Sequence, residues 1–260
     1  MGKKGVDWDQ IRPSERGDKF FHAAYQLLRP VYHLLFEVEF RGLEKLPQDR
    51  GIIVASNHLS QIDAFTLAYP LFKRGLTPRF MAKESLFRLP VLGWILRSFS
   101  HIPVSRGSAQ AARSLQVAQR ILEAQGSVAI FPEGTLTSDP ESWPMTAKTG
   151  SVRLALETGA PIYPIAHWGG QAVWPYSAKL PHLPRKRQKV TIVVGDPIDF
   201  SGLDVQKDEQ GRYSQQTLAQ ATEMVMVALT DLLEDIRGIK APEGRWNHVL
   251  GLRQVQDGSK

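Results

Sequence analysis

Two short stretches of this chain carry residue types at spacings that suit chemistry: Asn57-His58-Leu59-Ser60-Gln61-Ile62-Asp63, and, about seventy residues later, Phe131-Pro132-Glu133-Gly134-Thr135. An imidazole takes up and returns a proton near neutral pH, which makes His58 a candidate general base. Asp63, in the first turn of a helix beginning near Ser60, would lie close enough to fold back and accept the Nδ1 proton of that ring. The other ring nitrogen is then left for a substrate. A histidine backed by a carboxylate is two thirds of a serine-hydrolase relay, and the chain has no G-x-S-x-G elbow to supply the third part, so the attacking hydroxyl belongs to a substrate. The chemistry this suits is acyl transfer, with the second stretch forming a turn that holds the acceptor. Ser60-Gln61-Ile62-Asp63 also fits the S-x-x-D signal of a helix start, and these residues alone leave both readings open.

The elements that must position these groups are legible in the hydrophobic pattern. Gly51-Ile52-Ile53-Val54-Ala55 reads as a short buried strand, which puts His58 at a strand's carboxyl end, where open α/β sheets bind ligands. Further strands are expected near 78–82, 101–104, 127–131, 161–166 and 189–194, with helices near 60–74, 84–98, 108–125, 149–158 and 214–236. This alternation predicts a layered α/β protein. Gly134 is a turn former after the strand 127–131, and such a strand–turn is more often architecture than site, though backbone N–H groups exposed there also suit an oxyanion or head group. Arg106 opens the helical run 108–125, where it either captures an anion or is simply solvated.

Four blocks in order give this chain a resemblance to the glycerolipid acyltransferase family, which includes the lysophosphatidic acid acyltransferases. They are His58 with Asp63; His101-Ile102-Pro103-Val104-Ser105-Arg106; Pro132-Glu133-Gly134-Thr135; and Ala160-Pro161-Ile162-Tyr163-Pro164-Ile165. The matched region runs from residue 51 to about 166. The resemblance implies a mixed sheet flanked by helices and a membrane-associated O-acyltransferase acting on a lysophospholipid, most directly 1-acylglycerol-3-phosphate to give phosphatidic acid. It implies His58 and Asp63 as catalytic dyad, and Lys83, Arg106, Glu133, Gly134 and Thr135 as substrate-binding residues. Acyl-CoA or acyl carrier protein is then the donor, as co-substrate, with no cofactor and no metal. Leu136 stands where family members commonly carry an arginine, which opens the alternative of another lysolipid or glycolipid acceptor. A non-catalytic membrane-binding protein is a further alternative.

The remainder of the sequence bears on where such a reaction takes place. The 260 residues are 42% hydrophobic, lack cysteine and carry a formal net charge of +6. Thiol nucleophiles and disulfides are excluded, and no H-E-x-x-H pattern suggests a metal. Residues 1–16 read as a flexible tail and 241–260 as a C-terminal tail, around a catalytic domain at 41–240. Within 17–40, apolar residues at 20, 24, 27, 28, 31 and 35 follow helical spacing, interrupted by His22, Gln26, Arg29, Pro30 and His33. These interruptions argue against a membrane span and for an N-terminal amphipathic helical segment, a pair broken near Pro30, lying in the membrane interface. The run Arg185-Lys186-Arg187-Gln188-Lys189 adds local positive charge. An anionic phospholipid membrane is the expected partner, with the protein peripheral on the cytoplasmic face; nucleic acid is not expected, since no nucleic-acid motif accompanies the charge.

Overall fold

The computed structural model of the chain describes residues 15–104 and 108–255. Its elements in order are α1 (Glu15–Leu35), β1 (Phe36–Arg41), β2 (Ile52–Ser56), α2 (Asp63–Lys73), β3 (Pro78–Lys83), α3 (Pro90–Ser98), β4 (Ile102–Val104), α4 (Ser108–Glu123), β5 (Ser127–Ile130), α5 (Gly150–Thr158), β6 (Ile162–Trp168), β7 (Gln188–Val194), α6 (Gln215–Arg237), β8 (Arg245–Asn247) and β9 (Leu252–Gln254). Seven strands form one sheet in the order β1-β7-β6-β2-β5-β3-β4. All neighbours are parallel except β6 and β7, so the sheet is mixed, as expected for this α/β pattern.

The central strand β2 is buried along its whole length, and its alternating side chains divide two cores. Ile52 and Val54 pack with Phe21, Tyr25 and Tyr32 of α1 and with α2, while Ile53 and Ala55 pack with α4, α5 and α6 on the other face. Covering helices on both faces explain why β2 reads as a continuous apolar run rather than an alternating one. Helix α6 begins at a cap in which Ser214 Oγ accepts from Thr217 N at 3.0 Å and ends at Gly238 in the left-handed conformation.

Three expectations at the ends of the chain are corrected. The segment before residue 40 is not a helix pair broken near Pro30: α1 runs through Pro30 as one helix, because Tyr25 and Tyr32, on either side of it, are both seated in the same core. Residues 36–40 are not helical but form β1, parallel to β7, and the alternation Phe36-Glu37-Val38-Glu39-Phe40 is the strand period that the apolar count at helical spacing overrode. Nor is 241–260 a tail throughout. Its described part holds the hairpin β8–β9, fixed by Arg245 on Glu223 at 2.6 Å and Arg253 on Asp139 at 2.7 Å. Residues 1–14, most of the expected N-terminal tail, lie outside the described residues.

Candidate active site

The carboxyl ends of the adjacent parallel strands β2, β5, β3 and β4 bring most of the candidate residues to one edge of the sheet. His58 lies two residues past β2, and Glu133, Gly134 and Thr135 follow β5. Lys83 ends β3, exposed and in register with Val104 of β4; Arg106, two residues beyond Val104, lies outside the described residues.

Asp63 is the first residue of α2 and is fully buried. Its Oδ2 accepts from His58 Nδ1 at 3.0 Å, from Leu59 N at 2.5 Å and from Ser60 N at 2.7 Å. One oxygen thus holds the imidazole and two backbone N–H groups of the loop leading into α2 at once. Since a carboxylate only accepts, His58 donates from Nδ1, which leaves Nε2 for another partner. The imidazole is 21% exposed and stacks on Phe131, ring centroids 4.0 Å apart and 12° from coplanar. Ser60 Oγ donates to Trp174 O at 2.6 Å, tying the loop to the segment after β6.

Glu133 is placed differently from the acceptor-facing role expected of it. Its carboxyl is turned inward, and its oxygens accept from His58 N at 3.1 Å and Met145 N at 3.0 Å. Burial pushes this carboxyl up to about 8, against the downward pull of the two N–H groups. Glu133 thus shapes the His58 loop from within, while exposed Gly134 and half-buried Thr135 remain toward the surface. Gly134 is left-handed, at φ +70°, and a Cβ there would stand 2.6 Å from Lys148 Nζ; the absence of a side chain lets that ammonium lie against the turn. Leu136 is largely buried, 9% exposed.

Two residues not singled out in the sequence complete the site. Asn57 clamps the backbone of His167, donating from Nδ2 to His167 O and accepting at Oδ1 from His167 N, each at 3.0 Å. The His167 ring lies behind Asp63, with Nδ1 3.8 Å from Asp63 Oδ1 and Nε2 3.1 Å from Asn57 O. Its signal in the sequence is a polar residue near the end of the apolar strand Ile162-Tyr163-Pro164-Ile165-Ala166-His167.

Known proteins resemble this chain in sequence and in fold. The acyltransferase family profile matches residues 37–168, which contain every element of the site. The chain is 29% identical to a chloroplastic 1-acyl-sn-glycerol-3-phosphate acyltransferase of Brassica napus over 74% of its own length and 54% of the other's. To the 1-acyl-sn-glycerol-3-phosphate acyltransferase of Bacillus subtilis it is 29% identical, over 68% and 82%. The chain thus spans about half the length of the plant protein. In three dimensions it is similar in fold to the crystal structure of the 1-acyl-sn-glycerophosphate acyltransferase PlsC from Thermotoga maritima, with TM-score 0.63 and 22% identity over 90% of this chain and 88% of that one.

Proposed function

The chain belongs to the acyltransferase family, and from that membership we propose that it moves a fatty acyl group from a thioester to the hydroxyl of 1-acylglycerol-3-phosphate, giving phosphatidic acid. The observation that carries the reading is the Asp63–His58 contact, which fixes the proton on Nδ1 and presents Nε2 on a ring still open to solvent. In the reaction His58 Nε2 takes the proton of the acceptor hydroxyl as its oxygen bonds to the thioester carbonyl carbon. Collapse of the tetrahedral adduct breaks the carbon–sulfur bond, and the imidazolium returns the proton to the leaving thiolate. Asp63 stabilises the imidazolium in between. The donor is acyl-CoA or acyl carrier protein, with no further cofactor.

Gly134, Thr135, Lys83, Lys148 and Arg106 supply the acceptor site in this proposal, the cations facing its phosphate. Leu136 favours a second reading, in which the acceptor is another lysolipid or a glycolipid.

The reaction takes place at a membrane surface. Among the described residues no helix is long and apolar enough to cross a membrane. Helix α1 exposes Leu27, Leu28, Val31 and Leu34, and α3 exposes Val91 and Trp94, with Phe20 of α1 in edge-on contact with Trp94. Such a contiguous apolar face suits peripheral seating on a bilayer. Anionic lipid, on the cytoplasmic face, matches the net charge of +6.

The test is a product screen by mass spectrometry, offering the protein palmitoyl-CoA with lysophosphatidate, other lysophospholipids, monoacylglycerol and glycerol 3-phosphate. Phosphatidic acid as the main product is expected. A product only from a phosphate-free acceptor would overturn the substrate, and free fatty acid alone would overturn the transferase.

A further inference from the structure

Cations gather where the end of α1 meets the start of β7, around the ring of buried Tyr69 in α2. The Tyr69 hydroxyl is 2.5 Å from His33 Nε2, and the Arg29 guanidinium and the Lys73 ammonium each stand 6.0 Å from its ring centroid. Arg187, just before β7, donates from Nε and Nη2 to Phe36 O at 3.2 and 2.8 Å, which brings its guanidinium to the junction of α1 and β1. The acids of β1 are turned away. Glu37 and Glu39 alternate with Phe36, Val38 and Phe40 and so lie on the other face of the sheet, where Glu39 takes Lys189 at 2.7 Å. The charges acting on His33 are accordingly Arg29, Arg187 and Lys73, which add to burial in holding its pKa down. Among the described residues, no ion pair joins Arg29, Lys73 or Arg187 to a carboxylate.

The connection from β6 to β7 continues this cluster. Residues 169–195 contain no Asp or Glu, and within them Arg185 and Lys186 are exposed together with Leu180 and Leu183, the leucines at 76% and 82%. The loop that presents them is tied down. His182 N donates to Val173 O at 2.7 Å, Trp174 Nε1 to Ala178 O at 3.2 Å, and Ser60 Oγ to Trp174 O at 2.6 Å. A hydrogen-bonded loop that holds leucines in water beside a row of cations is complementary to a surface both apolar and anionic.

Like charges crowded without a counter-ion repel one another, and a bound anion relieves that repulsion. We propose that Arg29, Lys73 and Arg187, continued by Arg185 and Lys186, form a head-group site for anionic phospholipid, with Leu180 and Leu183 entering the bilayer beside the leucines of α1. A bilayer fits better than a phosphorylated solute or an acidic carrier protein because exposed leucines accompany the cations on both elements: Leu27 and Leu34 on α1, Leu180 and Leu183 on the loop. This loop starts at the Ser60–Trp174 bond, so a bilayer seated on it also borders the His58 segment. The inference rests on the proposed membrane seating and adds to it a preference for anionic lipid located at named residues.

Sedimentation of the full chain with vesicles decides it. Wild type is expected to bind vesicles of phosphatidylcholine mixed with phosphatidylglycerol more tightly than phosphatidylcholine alone, by a margin that shrinks as salt is raised. In Arg29→Gln with Lys73→Gln, affinity for the mixed vesicles falls about twentyfold, roughly fivefold for each cation, while binding to phosphatidylcholine alone is unchanged. Turnover of a short-chain, soluble acceptor with an acyl-CoA donor is unchanged as well. Arg185→Gln with Lys186→Gln, at exposed positions away from the core, repeats the loss without a risk to folding. Equal binding of wild type and both variants to the mixed vesicles overturns the proposal and leaves membrane seating standing; a wild type that binds neither vesicle overturns both. Should the variants instead raise KM for an acyl carrier protein donor with vesicle binding intact, the surface belongs to that protein and the lipid assignment is wrong.

Discussion

The ring of Phe131 lies flat against the imidazole of His58, 4.0 Å away, so that imidazole is held by an aromatic face as well as by the Asp63 hydrogen bond. Phe131 follows β5 directly and His58 follows β2, and these two strands are paired. Phe131→Ala is therefore expected to lower kcat about tenfold by loosening the ring's aim, with little change in acceptor KM. Steady-state kinetics with a short-chain acceptor checks this.

His58→Ala is expected to remove about 10²–10⁴ of the rate while leaving the circular dichroism spectrum and melting temperature near wild type, since the side chain is partly solvated. Near-normal turnover would sink the mechanism.

Asp63→Asn costs both rate and stability. An amide offers one acceptor oxygen in place of a charged one that serves three donors, so the proton position on His58 is no longer fixed; a loss of about 10³–10⁴ in kcat is expected. If only stability falls, Asp63 serves the helix start alone.

Glu133 makes stability depend on pH. Its folded carboxyl is raised from 4.5 to about 8, chiefly by burial, so the fold binds a proton that the unfolded chain releases between those values. The stabilisation is fully present below about pH 4.5 and is lost as pH rises through 8. Urea unfolding of the wild type across this window should show the decline, and Glu133→Gln should flatten it.

Membrane seating is tested on the outer face of α1. Leu27 and Leu34 are 77% and 74% exposed and take no part in the core, so Leu27→Glu with Leu34→Glu should reduce sedimentation with anionic vesicles by about tenfold or more without lowering the melting temperature. Unchanged sedimentation would move the lipid contact elsewhere.

The sheet and the dyad were readable because they rest on local signals. Burial on both faces makes β2, β5 and β6 apolar runs, and the five-residue step from His58 to Asp63 is the reach of one helical turn. The remaining features depend on partners far along the chain. Strand β1 needs β7, about 150 residues on, before its alternation means anything, and the hairpin β8–β9 needs Glu223 and Asp139. The inward turn of Glu133 was hidden for the same reason, since the N–H of Met145 that claims it comes from a separate loop. His167, one residue past the strand expected at 161–166, is brought behind Asp63 only by the fold.

Helix α1 carries the apolar outer face, yet its inner face is pinned by an ion pair between Asp18 and buried Arg79 of β3 and by the stacking of Phe21 on Phe99. The element that would touch lipid is thus also a wall of the hydrophobic interior, and it runs straight into the edge strand β1. Loss of the segment before residue 40 would take Phe21, Tyr25 and Tyr32 out of the core and leave it open. Under the proposed membrane seating, the lipid contact of α1 is therefore tied to the integrity of the fold, and truncation would remove both together.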